Sequence, residues 1–177
     1  MTWVDDGTMN AELFPNELEL YAARILIIDD EEVHIGVLEW TLRAAKFAPP
    51  RSTTDSKKAL AIFKEFQPDL VLLDLYMPKP DGFDILKDLR AAIRADDFLP
   101  VLVLTGNDTS ETRKQALAAG ASDFLGKPID CSEVMLRIRN LLQTRFLHQR
   151  AQEMQRQLKA NRAFQETASP TATGLKP

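Results

Sequence analysis

Three short apolar runs constrain this chain more than any other feature: RILIID at 24–29, DLVLLD at 69–74 and PVLVLT at 100–105. Each is rich in branched residues, too short for a helix, and apolar at consecutive positions rather than alternate ones. That is the pattern of a strand buried on both faces, as in a parallel sheet. Helical patterns fill the intervals. Residues 31–45 place Ile35, Leu38, Leu42 and Ala45 on one face. Asp55 is placed to cap a helix reaching about residue 66. Helices are also expected over 83–94 and 109–119, the latter stopped by Gly120. Two weaker strands are expected at 49–53 and 122–126. Pro49 and Pro50 confine the first of these to an edge or a strand start. Residues 76–82 (YMPKPDG) read as a loop and 106–108 as a break after the 100–105 run. Five strands alternating with five helices specify an α/β, doubly wound, five-stranded parallel sheet with right-handed crossovers. The order 2-1-3-4-5, flavodoxin-like, is the common solution for such a set.

Charge divides the chain unevenly. Residues 1–130 carry 14 Lys and Arg against 23 Asp and Glu, whereas 131–177 carry 8 against 3. The acidic body argues against direct nucleic-acid binding, and the basic stretch reads as a solvated helix face. A lone cysteine, Cys131, excludes an intramolecular disulfide. The acidic N-terminus lacks a signal-peptide pattern, and no apolar run is long enough to span a membrane. A cytoplasmic location and no membrane partner are therefore expected.

Ligands in an open parallel sheet bind beyond the carboxyl ends of the strands. Here those ends carry Asp29 and Asp30, then Asp74, Thr105 and Lys127. Carboxylates gathered at one rim repel one another, and a divalent cation removes the conflict. Oxygen-only donors suit Mg²⁺, or Mn²⁺, and Mg²⁺ characteristically keeps positions for water and phosphate oxygens. Asp74 then has the setting of a nucleophile that forms an acyl phosphate. The Lys127 ammonium can neutralise part of the transferring group's charge. A Thr105 hydroxyl bonded to a phosphoryl oxygen would pull the segment that follows it.

The acidic pair Asp29-Asp30, the segment DLYMPKPDG at 74–82, Thr105 after an apolar strand, and Lys127-Pro128 together resemble a response-regulator receiver domain over residues 23–145. The resemblance implies that Asp74 is the phosphoacceptor. It implies that Asp30 binds Mg²⁺ directly, Asp29 through water, and Tyr76 through its backbone carbonyl. It further implies that Thr105 and Lys127 bind the phosphoryl group, that Phe124 is an aromatic switch turning inward on activation, and that the bond between Lys127 and Pro128 is cis. The implied partner is a histidine kinase or phosphotransfer protein, with transfer and slow hydrolysis catalysed by the domain itself. The bulk of Tyr76 beside Asp74 is expected to hinder attacking water.

Other readings are weaker. A degenerate receiver that only dimerises is disfavoured by the intact Asp74, Asp30 and Lys127. An aspartyl phosphohydrolase would want Asp-x-Asp, but residue 76 is tyrosine. A nucleotide fold would want a Gly-rich loop after the first strand. His34 and His148 have no ligand partner nearby in sequence and read as surface residues. Cys131 starts a helix without a redox partner.

The last helix is expected from about 132 to 164. Beyond the receiver, Leu147, Ala151, Met154 and Leu158 form a short heptad-like seam. An isolated projecting helix is marginal, so a homodimer through 146–166 is expected. Residues 140–148 are similar to linkers that precede HD-GYP cyclic-di-GMP phosphodiesterase domains, which makes the N-terminal part of such a regulator a further alternative. Residues 1–22 read as an extension, docked as a short helix or loose, and 167–177 as a disordered tail.

Overall fold

The computed structural model describes residues 15–106 and 109–168. Helix α1 (Glu17–Tyr21) precedes strand β1 (Ile25–Ile28). Then follow α2 (Glu32–Ala44), β2 (Arg51–Thr53), a 3₁₀ turn (Ser56–Lys58), α3 (Ala59–Phe66) and β3 (Leu70–Asp74). The chain continues through α4 (Gly82–Ala92), β4 (Val101–Thr105), α5 (Ser110–Ala118), β5 (Asp123–Gly126) and α6 (Cys131–Ala168). The sheet is wholly parallel, in the order β2-β1-β3-β4-β5.

Alternation along the strands explains the two-sided core. Ile25 and Ile27, Leu70 and Leu72, and Leu102 and Leu104 point to one face, where Leu38 and Leu42 of α2 and Val134, Ile138 and Leu142 of α6 cover them. Leu26 and Ile28, Val71 and Leu73, and Val101 and Val103 point to the other, under Phe63 of α3, Ile85, Leu86 and Leu89 of α4, and Ala116 of α5. Each fully buried aliphatic side chain contributes roughly 1.5–3 kcal/mol. The continuous runs noted in the sequence are thus strands covered by helices on both sides. β2 lies at the sheet edge and starts after Pro49 and Pro50, where a missing N–H costs no ladder bond.

Helix starts follow local chemistry. Asp81 caps α4 by accepting from the Asp84 N–H, while Asp84 reaches back to the Asp81 N–H. The same reciprocal arrangement joins Asn16 and Glu19 at α1. Asp55 caps the 3₁₀ turn rather than α3 itself.

α6 spans 38 residues, about 57 Å at 1.5 Å per residue. It runs unbroken across position 145 and through Ala168, so residues 167 and 168, expected in a tail, are helical. Its middle is clasped to the segment before β4. Arg145 is 8% exposed and donates to the Phe98 carbonyl at 2.7 Å and to the Asp97 carboxylate. His148 and Gln152 both meet the Asp96 carbonyl. On the other side Arg150 pairs with Glu19 of α1 at 2.7 Å. Beyond this clasp Met154 and Leu158 are exposed. Residues 169–177 of the tail expected over 167–177, residues 1–14 of the extension expected over 1–22, and residues 107 and 108 of the break expected over 106–108 lie outside the described residues. No described helix is long and apolar enough to cross a membrane.

Candidate functional site

The carboxyl ends of β1, β3 and β5 bring three charged side chains into contact. Asp74 ends β3 and is 2% exposed; Asp29 follows β1 and is fully buried. Lys127 follows β5 and is tethered by its backbone N–H to the Thr105 carbonyl at 2.7 Å. Its Nζ donates to Asp74 Oδ2 at 2.8 Å and to Asp29 Oδ2 at 2.9 Å. The other oxygens accept from backbone: Asp74 Oδ1 from the Tyr76 N–H at 3.1 Å, Asp29 Oδ1 from the Glu31 N–H at 3.0 Å. Burial works to lower the Lys127 pKa, but the hydrogen bonds and charges of Asp74 and Asp29 outweigh it and hold it above the ordinary lysine value.

Gly82 makes this arrangement possible. A Cβ there would stand 2.1 Å from the Asp74 carbonyl oxygen and 2.4 Å from Leu75 Cα. The Gly82 N–H instead donates to the Leu75 carbonyl at 3.1 Å and ties the loop to the end of β3. Glycine is needed for this close backbone approach.

Asp30 lies at the rim, partly exposed. Burial pushes its carboxyl above the usual carboxylate range, a hydrogen bond from its own backbone works against this, and the charges of Asp74, Asp29 and Glu31 add to the rise. Thr105 ends β4 and is 2% exposed. Phe124 is partly buried, with the Arg113 guanidinium 3.8 Å from its ring centroid, a cation–π contact. Tyr76 is half-exposed, and its hydroxyl reaches Thr112 Oγ1 at 3.4 Å. The bond between Lys127 and Pro128 is cis, as is that between Lys79 and Pro80.

His34 corrects the sequence reading. Its Nδ1 lies 2.9 Å from Lys127 Nζ and 3.1 Å from Asp29 Oδ1, inside the site rather than on a featureless surface. His148 likewise has a structural partner, in the Asp96 carbonyl. Cys131 accepts from the Thr41 hydroxyl at 3.2 Å.

The donor set fits a divalent cation. Two buried carboxylates share one ammonium, leaving net negative charge in a low-dielectric pocket, and ligand atoms of Asp29, His34 and Asp74 all lie within 4.8 Å of one another. A nucleophilic carboxylate beside a cationic donor and a cation site is the equipment of phosphoryl transfer to aspartate.

Comparison with known proteins agrees with this chemistry. The response regulator receiver domain family matches residues 25–139. The chain is 39% identical over 119 residues to the DNA-binding dual master transcriptional regulator RpaA of Synechocystis sp., covering 67% of this chain and 48% of that protein. It is 40% identical over 129 residues to the response regulator PleD of Caulobacter vibrioides, covering 71% and 27% respectively. The chain thus matches half or less of the length of these relatives. Among solved structures it is similar to the chemotaxis protein CheY4 of Vibrio cholerae, with a TM-score of 0.62 and 26% identity over 68% of this chain and 98% of that one. With its sheet order, the buried Asp74–Lys127–Asp29 cluster and these matches, the chain belongs to the response-regulator receiver family of two-component signalling.

Proposed function

We propose that Asp74 accepts a phosphoryl group from the phosphohistidine of a histidine kinase or phosphotransfer protein, and that Mg²⁺, or Mn²⁺ in its place, assists. The observation that carries this reading is the buried contact of Asp74 with Lys127 at 2.8 Å, backed by Asp29. An Asp74 carboxylate oxygen attacks phosphorus, a P–O bond forms, and the donor's P–N bond breaks with its imidazole leaving and taking up a proton. Asp29, Asp30 and Asp74, with the Tyr76 carbonyl, are the residues that would hold the cation; when bound, it supplies positive charge to the phosphoryl oxygens.

Lys127 stands one hydrogen bond from Asp74 Oδ2, so its ammonium meets an incoming phosphoryl oxygen with little movement. Thr105, at the neighbouring strand end, donates its hydroxyl to the same group. That bond exists only in the phosphorylated state and biases the segment after β4. Phe124, on the adjacent strand β5 and under Arg113 of α5, reports the change to the surface. Residues 23–145 act as the receiver and 146–166 as a dimerising extension in a cytoplasmic protein, with no direct nucleic-acid contact by the receiver. Exposure of Met154 and Leu158 along α6 supports pairing with a second copy. In sedimentation, the full chain should be dimeric at micromolar concentration and Leu158→Glu monomeric; a monomeric wild type removes the dimer.

The acceptor reading is tested by intact-mass spectrometry after incubation with a small phosphodonor and Mg²⁺. Wild type should gain one phosphoryl group, Asp74→Asn none, and EDTA pretreatment should abolish the gain. Equal labelling of wild type and Asp74→Asn would overturn it.

A further inference from the structure

Lys127 Nζ is surrounded by more than carboxylates. Its neighbours are Asp74 Oδ2 at 2.8 Å, Asp29 Oδ2 at 2.9 Å and His34 Nδ1 at 2.9 Å. An ammonium has only protons to offer, so the third contact turns the Nδ1 lone pair toward Nζ. A proton on Nδ1 would suit Asp29 Oδ1 at 3.1 Å but would set two donors face to face at the shorter distance. The imidazole therefore presents a lone pair to a cation already flanked by two carboxylate oxygens. The side chains are confined: Asp29 is fully buried, Asp74 3% exposed and His34 27% exposed.

The donors of Asp29, His34 and Asp74 lie within 4.8 Å of one another, close to the span that one ion with bonds of about 2.0–2.2 Å bridges. An oxygen-only set suits Mg²⁺, whereas adding an imidazole nitrogen shifts preference toward borderline metals such as Zn²⁺ and Co²⁺. A divalent ion in place of Nζ would also balance the two carboxylates fully, which one ammonium does not.

We propose that His34 converts this pocket into a mixed imidazole–carboxylate site for Zn²⁺ or Co²⁺, held by Asp29, His34 and Asp74 with Lys127 displaced. Such an ion takes the nucleophile and the phosphoryl-binding ammonium out of action together. Transition metal therefore opposes Mg²⁺-dependent phosphorylation, a regulatory consequence that rests on the acceptor reading, although the metal binding itself does not.

The test uses the full chain labelled with ¹⁵N-histidine, which reports two rings, His34 and His148. Titration with Zn²⁺ should move the His34 Nδ1 resonance and leave His148 in place. Calorimetry should show Zn²⁺ binding wild type more tightly than Mg²⁺. Loss of even an outer partner of a metal ligand costs roughly 10–100-fold in affinity, so His34→Ala and His34→Asn should each weaken Zn²⁺ by at least about tenfold while Mg²⁺ binding is largely retained. An unmoved His34 ring in Zn²⁺-saturated protein, or Zn²⁺ affinity indifferent to both substitutions, overturns the proposal. The wild-type readout needs no variant to fold. Zn²⁺-free aliquots of the same protein, treated with phosphodonor and Mg²⁺, separate the two ideas. Phosphorylation with an unmoved His34 sinks the metal proposal alone, and a moved His34 without phosphorylation sinks the acceptor reading alone.

Discussion

Replacing Lys127 with methionine removes the counter-charge and keeps most of the side-chain volume. In wild type, Nζ lies 2.8 Å from Asp74 and 2.9 Å from Asp29, and the lysine side chain is 12% exposed. At an effective dielectric of about 20, each contact represents roughly 6 kcal/mol of gross attraction. Desolvation of the ammonium offsets much of this, and removing one partner of a buried pair costs about 3–5 kcal/mol, because a charge is left unpaired. Residual exposure of Lys127 places the expected loss near the lower end, about 3 kcal/mol. Urea unfolding in EDTA, followed by far-ultraviolet circular dichroism, should show a lowered midpoint at unchanged slope. Mg²⁺ should then recover more stability in the variant than in wild type, since it restores positive charge to the same carboxylates. The raised Lys127 pKa fixes the pH window. A cation held more tightly in the native state contributes fully below its unfolded pKa and is lost as pH rises through the folded value. The gap between variant and wild type should therefore be constant near neutrality and close only above pH 10.5. A loss under about 1 kcal/mol, or equal Mg²⁺ recovery in both proteins, would show that Lys127 is not the counter-charge of these carboxylates.

Three further outcomes follow from the same geometry. Gly82→Ala drives a Cβ into backbone of Asp74 and Leu75 that cannot rotate away, so a loss of roughly 1–3 kcal/mol and slower phosphorylation are expected; an unchanged Tm and rate would contradict the close approach. Asp30→Asn should raise Tm in EDTA by about 2–4 °C for each kcal/mol of repulsion relieved, and the gain should vanish in Mg²⁺. The raised Asp30 pKa means that its native contribution is greatest below the carboxylate range and lost as pH rises through the raised value, so the gain should disappear in acid; a gain that persists there counts against it. Tyr76→Asn opens the half-exposed flank of Asp74 to water, so phosphoryl loss should accelerate on the order of tenfold, about 1.4 kcal/mol of barrier; decay no faster than wild type removes the shielding role.

The sheet was legible because burial on both faces leaves a continuous apolar signature in β1, β3 and β4, and because two prolines announced the edge position of β2. Asp29, Asp74 and Lys127 were legible as strand-end residues, since the topology alone brings parallel strand ends to one rim. His34 was not legible. Beside Glu31 and Glu32 it reads as surface, and only the first turn of α2 folds it back over Asp29. Its position one turn into the helix that leaves the acidic strand end was the available signal. The clasp on α6 was hidden for a similar reason. Arg145 belongs to a basic stretch that reads as solvated, yet it is buried by a loop 47 residues earlier in sequence. Asn16 and Glu19 form a reciprocal cap at the start of α1, whereas residues 1–22 read in sequence only as an extension, docked as a short helix or loose.

The most direct test of the central claim is chemical localisation of the phosphoryl group. Protein treated with phosphodonor and Mg²⁺ is reduced with borohydride, which converts an acyl phosphate to the alcohol, and is mapped by tandem mass spectrometry. Reduction is expected at Asp74 alone, absent after EDTA. Reduction at Asp29 or Asp30, or none at Asp74 in protein whose intact mass shows a phosphoryl group, would contradict it.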